Sequence, residues 1–311
     1  MENSINGLHH ITAIASHAAS NYNFYTKILG LRLVKKTVNF DDPKTYHLYY
    51  GNKVGTPGTV LTFFPWENIA PGRSGSRQVT TIGYSVPEKS LKFWMNRFES
   101  NRINFLGIGE KFGEQYLSFT DPDGLKLELI VPKIPDTRLP WETNEVQSAH
   151  ATRGFHSITI TTNKMQPTAD ILTGLLGYKF LEQEANLYRF ITDTVANAAI
   201  VDLVEFPEQI AGHVAGGSVH HVAFRVKNEE IVMEYRETIA SSGIHITEKI
   251  DRNYFYSLYF HEPGGVLFEL ATNNPGFAVD EPVEALGSNL MLPAKYEQHR
   301  STIEAILPQL Y

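Results

Sequence analysis

Two segments far apart in the chain, Gly7-Leu8-His9-His10-Ile11-Thr12 and Gly217-Ser218-Val219-His220-His221-Val222, each set paired histidines in what reads as the opening strand of a repeated unit. A third, Gly264-Gly265-Val266-Leu267-Phe268-Glu269-Leu270, places one carboxylate in an otherwise apolar strand. Two imidazoles and one carboxylate carried on strands form a donor set for a divalent metal with coordination positions left open. A single strand histidine is more often structural than a ligand. Here the coincidence carries the weight: histidine at two equivalent opening-strand positions, and glutamate on the closing strand. An ionised glutamate in a buried strand also needs a cation or several donors to offset its desolvation.

The elements that must position these groups follow from an internal repeat. Gly7-Leu8-His9-His10-Ile11-Thr12 matches Gly154-Phe155-His156-Ser157-Ile158-Thr159 at an offset of 147 residues, and Phe24–Val34 matches Ile171–Leu181 at the same offset. Phe119–Leu129, with its Asp-Pro-Asp-Gly turn, matches Phe260–Leu270 with Glu-Pro-Gly-Gly. Four units result, near 5–66, 77–132, 152–207 and 216–272, each reading as strand, amphipathic helix, then further strands. Residues 20–29 run helically and stop at Gly30, and Tyr46–Tyr50 and Thr59–Phe64 carry strand-forming residues. The expected organisation is α+β: four βαβββ modules in two tandem domains, 1–135 and 152–272, whose curved mixed sheets form a trough. A linker, 136–151, joins them, and a tail, 273–311, belongs to no repeat. Within the tail Lys295–Leu310 reads as a closing helix interrupted by Pro308, most simply a surface cap on the last unit.

Strand alternation sorts the ligands by face. His221 lies with Ala223 and Arg225, and Glu269 lies opposite Val266, Phe268 and Leu270. Alternation alone does not choose between His9 and His10; the repeat does, because His10 is the counterpart of His221. His10, His221 and Glu269 are therefore the expected metal ligands, with His9 and His220 as core or orienting groups. Unit three offers Ser157 where unit one has His10, and unit two offers Thr81 where unit four has His221. Units one and four should thus meet across the metal trough, with two and three forming a metal-free counterpart.

Composition narrows the rest. The 311 residues carry 27 basic and 34 acidic side chains, a net charge of −7, which disfavours nucleic-acid and anionic-membrane surfaces. The absence of cysteine removes disulfides, thiolate metal sites and a cysteine nucleophile together. The first residues do not form a signal peptide, and no apolar run approaches the roughly 18 residues of a membrane span. A soluble, cytoplasmic protein is expected.

The repeats, with His on the opening strands and Glu on the closing one, resemble the vicinal oxygen chelate superfamily of glyoxalase-like folds. Leu8–Thr12, Tyr46–Tyr50, Gly55–Thr59, Val219–Val222, Asp251–Phe255 and Leu292–Glu297 resemble in particular its hydroquinone-type ring-cleaving dioxygenases, over nearly the full chain. The resemblance implies Fe(II), with Mn(II) as an alternative occupant, held by His10, His221 and Glu269. It implies an aromatic substrate and O2 as partners, with homo-oligomer formation left open, and extradiol-type cleavage. It also implies Arg252, Tyr259, Thr12, His9 and His220 around the substrate. Two rivals stand beside this reading. One is a Zn- or Ni-dependent glyoxalase-type isomerase, whose fourth ligand would come from Thr59–Phe64, a segment without a carboxylate. The other is a metal-independent protein that sequesters an aromatic drug.

Overall fold

The computed structural model of the protein describes residues 4–311. Unit one supplies β1 (Leu8–Ala15), β2 (Arg32–Val38), β3 (Tyr46–Gly51) and β4 (Val60–Pro65). Unit two supplies β5 (Gln78–Ser85), β6 (Phe105–Lys111), β7 (Glu114–Thr120) and β8 (Lys126–Ile130). Unit three supplies β9 (Gly154–Thr162), β10 (Lys179–Glu184), β11 (Leu187–Ile191) and β12 (Ile200–Glu205). Unit four supplies β13 (Val219–Val226), β14 (Ile250–Asp251), β15 (Phe255–His261) and β16 (Leu267–Pro275).

These strands form two mixed eight-stranded sheets, ordered β14-β15-β16-β13-β1-β4-β3-β2 and β10-β11-β12-β9-β5-β8-β7-β6. The first joins units one and four, the second units two and three. This is the pairing that the empty positions Ser157 and Thr81 anticipate. In each sheet the two opening strands run antiparallel at the centre, β1 on β13 and β5 on β9, and each pairs in parallel with its own unit's closing strand. As sequence repeats, 1–135 and 152–272 are proposed as the tandem domains; the sheets combine units across that division.

Helices cover the outer faces. Leu91–Ser100 buries Leu91, Trp94 and Phe98, three and four residues apart on one stripe. In unit one the helical stretch is a short α-helix, Ala18–Asn23, that widens into a π-turn over Phe24–Ile28, and the same widening recurs at Ile171–Leu175. It ends at Gly30 with φ 70°, the left-handed terminus the sequence indicates. A Cβ there would stand 2.9 Å from Val146 of the linker, so any other residue would force the linker to shift. No helix among the described residues is long and apolar enough to cross a membrane.

The tail departs from expectation in two respects. Its closing helix is a 3₁₀ stretch over Ala294–His299 followed by a single α-segment, Arg300–Ile306. Leu307 is already extended (ψ 136°), as a residue preceding proline must be. The closing helix also caps the first unit, not the last. Leu292, Ile303 and Leu307 pack on Val38 of β2, and Lys295 Nζ and Tyr296 OH each donate to the Phe40 carbonyl at 2.8 Å. Lys35, itself on β2 and fully buried, donates to Asp280 and Glu281 of the tail at 2.5 and 2.6 Å. An edge strand that would otherwise stand open is thereby covered.

Candidate metal centre

The opening strands do not alternate strictly. Their ladders are interrupted between Leu8 and His10, Val79 and Thr81, Phe155 and Ser157, and Val219 and His221. A bulge at the same place in all four units re-aims one side chain, so each histidine pair converges instead of dividing between faces. His9 Nδ1 lies 2.9 Å from His10 Nδ1, and His220 Nδ1 lies 2.8 Å from His221 Nδ1. The expectation from simple alternation fails here for that reason. His9 and His220 stand directly behind the neighbouring imidazoles.

With Nδ1 engaged, the Nε2 atoms of His10 and His221 face Glu269 Oε2 at 3.2 and 2.9 Å. Glu269 is fully buried. Its Oε1 accepts from Ser257 Oγ, while Oε2 has no hydrogen-bond partner of acceptable geometry despite the two nearby imidazoles. Burial opposes ionisation of this carboxyl, but the His10 and His221 imidazoles outweigh it and hold it well below the ordinary carboxylate range. Burial in turn lowers His221, and lowers His220 to about 4, which favours neutral rings with a lone pair to give.

The three donor atoms lie within 4.8 Å of one another. Two donors at right angles and roughly 2.0–2.2 Å from one ion are about 3 Å apart. The separations to Glu269 match that value, and the donor set suits a divalent cation with part of its coordination sphere left open. Thr62 completes the picture by default. Its register on β4, opposite Thr12, is that of Glu269 on β16 opposite Ala223, so the position for a fourth protein ligand holds a hydroxyl.

A cavity of about 230 Å³ opens beside the triad, with Phe40, Phe64 and Trp66 among its aromatic walls. Arg252 and Tyr259 line it, Arg252 Nε lying 3.3 Å from Tyr259 OH and its guanidinium over that ring. Burial and the Glu269 charge raise the Tyr259 phenol, which stays protonated at neutral pH. Thr12 is set back, buried, its Oγ1 2.9 Å from Thr62 Oγ1. The structure thus brings together His10, His221 and Glu269, puts His9 and His220 behind them, lines the cavity with Arg252 and Tyr259, and withdraws Thr12 from it.

Sequence reasoning missed a chain of hydrogen bonds in the same wall. Tyr49 OH lies 2.8 Å from His47 Nδ1, and His47 Nε2 lies 2.8 Å from Thr62 Oγ1. Period-two alternation puts His47 and Tyr49 on one face of β3, a signal that was available. Ser257, two residues before Tyr259 on β15, was legible in the same way.

The second sheet carries no such triad among the described residues. Ser157 and Thr81 replace the histidines, and the carboxylates at the register of Glu269 and Thr62, Glu128 and Asp202, are each held by a side-chain cation. Lys111 donates to Glu128 at 2.5 Å, and Arg189 forks onto Asp202 at 2.8 and 3.0 Å. Arg189 also reaches Glu114 Oε2 at 2.6 Å, and His156 Nε2 lies 3.1 Å from Glu114 Oε1.

Burial pushes Glu114 up, but the hydrogen bonds and charges of His156 and Arg189 prevail and bring it to about 2 from the usual 4.5. A depressed carboxyl stabilises the fold above its unfolded value and loses that contribution as pH falls through the folded one. Urea unfolding followed from about pH 5 down to about pH 2 should therefore show stability declining, and Glu114→Gln should flatten that decline.

The profile of the glyoxalase/bleomycin resistance protein/dioxygenase superfamily matches residues 7–129 and 154–270. The chain is 43% identical over 304 residues to a Bacillus subtilis (strain 168) protein named "Putative ring-cleaving dioxygenase MhqO", covering 97% of this chain and 96% of that one. It is 33% identical over 299 residues to chlorohydroquinone/hydroquinone 1,2-dioxygenase of Sphingobium indicum, covering 94% and 93%. A crystal structure described as a "putative dioxygenase" from Bacillus subtilis superposes with a TM-score of 0.95 at 41% identity, over 99% of this chain and 98% of that one.

Proposed function

The chain belongs to the glyoxalase/bleomycin resistance protein/dioxygenase superfamily, and from that membership we propose that it is an Fe(II)-dependent ring-cleaving dioxygenase. Its substrate is a hydroquinone or catechol-like aromatic, cleaved in the extradiol manner beside a hydroxyl-bearing carbon, with both atoms of O2 entering the product. One observation supports this most strongly. The centre offers two imidazoles and one carboxylate, and a threonine where a fourth protein ligand would stand. Open positions suit an enzyme that must admit both an aromatic oxygen and dioxygen; a four-ligand isomerase centre is not what Thr62 builds. We also propose residence in the cytoplasm, in keeping with a chain without cysteine.

His10, His221 and Glu269 would hold the iron, which when bound supplies Lewis acidity toward a phenolic oxygen and electrons for dioxygen. The remaining work falls to the chain's own groups. His9 and His220 fix the orientation of the ligand imidazoles through Nδ1. Phe64 and Trp66 offer the substrate ring apolar faces and keep water off them. Arg252 presents a fixed positive charge toward developing anionic oxygen. Tyr259 donates a hydrogen bond as a neutral phenol, and His220, which lines the cavity with Nδ1 taken up by His221, holds its proton on Nε2 as a second donor toward substrate oxygen.

Anaerobic loading with Fe(II), followed by oxygen-uptake measurements across hydroquinones and catechols, tests the proposal. Uptake matched one-to-one by ring opening is expected. Turnover of a glutathione hemithioacetal without oxygen uptake would replace it with the isomerase reading. His220→Phe, which keeps a ring but removes the partner of His221 Nδ1, should weaken Fe(II) binding about 10–100-fold, measured by competition with a chelator.

A further inference from the structure

A cavity of about 360 Å³, larger than the one at the triad, lies in the trough of the second sheet, at the end where the chain leaves β8. Its walls are mostly apolar, with Leu181, Ile191 and Ile200 among them, while Glu114, Arg189 and Ser85 supply polar groups. A concave, largely apolar space with a few convergent polar groups is the usual form of a small-molecule site.

Comparison of the two sheets shows which residues keep this space open. Glu114 occupies the register of Phe255, since Ser118 opposes Glu128 on β8 as Tyr259 opposes Glu269 on β16. Arg189, opposite Asp202, occupies the register of Tyr49, opposite Thr62. In the first sheet the chain leaving β16 brings Phe277 against Tyr49 and Tyr254, both with ring centroids at 5.2 Å, and Phe255 joins the same buried cluster. That end is plugged. In the second sheet the chain leaving β8 brings Lys133, Ile134 and Asp136 instead, and the space stays open.

The polar groups around it are not all satisfied. Ser85, 1% exposed, has an Oγ with no hydrogen-bond partner. Glu114 accepts from His156, Arg189 and the Lys133 amide, and a carboxylate has about four acceptor positions, so one remains. The carboxylates at the wall, Glu114, Asp136 and Glu182, are paired with Arg189, Arg138 and Lys133 in turn, which leaves no cation over for an anionic ligand.

We propose that this cavity is a second, metal-independent binding site for a neutral, single-ring phenol. Its ring packs against Leu181, Ile191 and Ile200, and its hydroxyl donates to Glu114 and accepts from Ser85. The proposal stands apart from the assignment at the triad, and its test needs no iron.

Full-length protein stripped of metal by chelation is titrated with 4-fluorophenol, followed by fluorine NMR of the probe. One saturable site is expected. Ala199→Leu, which narrows the cavity wall, should weaken it at least tenfold, and Ser85→Ala should weaken it several-fold in a chain that keeps its core packing. Phe64→Leu, in the wall of the triad cavity, should leave it unchanged. Absence of saturable binding, or binding lost in Phe64→Leu but kept in Ser85→Ala and Ala199→Leu, overturns the proposal. Tighter binding of 4-fluorobenzoate than of 4-fluorophenol overturns the ligand class.

Discussion

Glu269→Gln is expected to give a folded protein that no longer retains Fe(II), with turnover reduced by at least about 10³-fold. Glutamine keeps the shape of the side chain and the acceptor for Ser257 Oγ, so packing in β16 is preserved. What disappears is the charge and the lone pair at Oε2, the one donor atom facing both His10 Nε2 and His221 Nε2. Metal polarisation of a reacting oxygen contributes several kcal/mol, and each 1.36 kcal/mol is a decade in rate. Stability gives a second readout. A ligand at 100 times its Kd stabilises by about 2.7 kcal/mol, so Fe(II) should raise the urea midpoint of the wild type and leave that of the variant unmoved. Iron content after dialysis, oxygen uptake and the paired unfolding curves check the three parts. A variant that keeps iron and turns over at the wild-type rate removes Glu269 from the centre.

Lys35→Met should be the most damaging change far from the cavity, costing about 3–5 kcal/mol, because removing one partner of a buried ion pair strands the other. Lys35 is wholly buried, and Glu281 is 4% exposed with its oxygens turned toward Lys35 and the Gly287 and Asn289 amides. Lys35→Met combined with Glu281→Leu should recover part of the loss, since the buried carboxylate is then gone and only Asp280, partly exposed and still accepting from Tyr254 OH, is left without Lys35. The damage should also reach turnover. The tail anchored by this pair is the one whose Lys295 and Tyr296 hold the Phe40 carbonyl, and Phe40 lines the triad cavity. Denaturant unfolding of both variants, with KM and kcat read separately, checks this. An intact midpoint in the single variant would show that the pair contributes nothing.

Much of the architecture was legible because the repeat could be read in chain order. The matched segments around Gly30 and Gly177 marked equivalent helix ends, and Ser157 and Thr81 showed which units could not carry ligands. That reasoning reached the pairing of units one and four without coordinates. It could not reach the bulges at His9 and His220, because a bulge is a relation between two strands and the partner's register is not written locally. Alternation therefore divided histidine pairs that the fold keeps together. His47 escaped for another reason: its repeat partner, Leu187, carries no chemistry, so the repeat lent no weight to the face that His47 shares with Tyr49. The tail's contact with β2 was hidden because it joins residues some 250 positions apart.

The interleaved order of the sheets has a consequence for biosynthesis. Neither sheet can close on the ribosome as its first half emerges. β1 to β4 must wait for β13 to β16, the last strands to be made, and β5 to β8 must wait for β9 to β12. Contacts between residues so distant in sequence slow folding and leave unpaired strand edges exposed during synthesis. The outer pair of units bears His10 at the beginning and Glu269 near the end, so nascent chains should be unable to load iron until translation is nearly complete. A ribosome-stalled chain ending before β13 would then be expected to stay iron-free and to depend on chaperones.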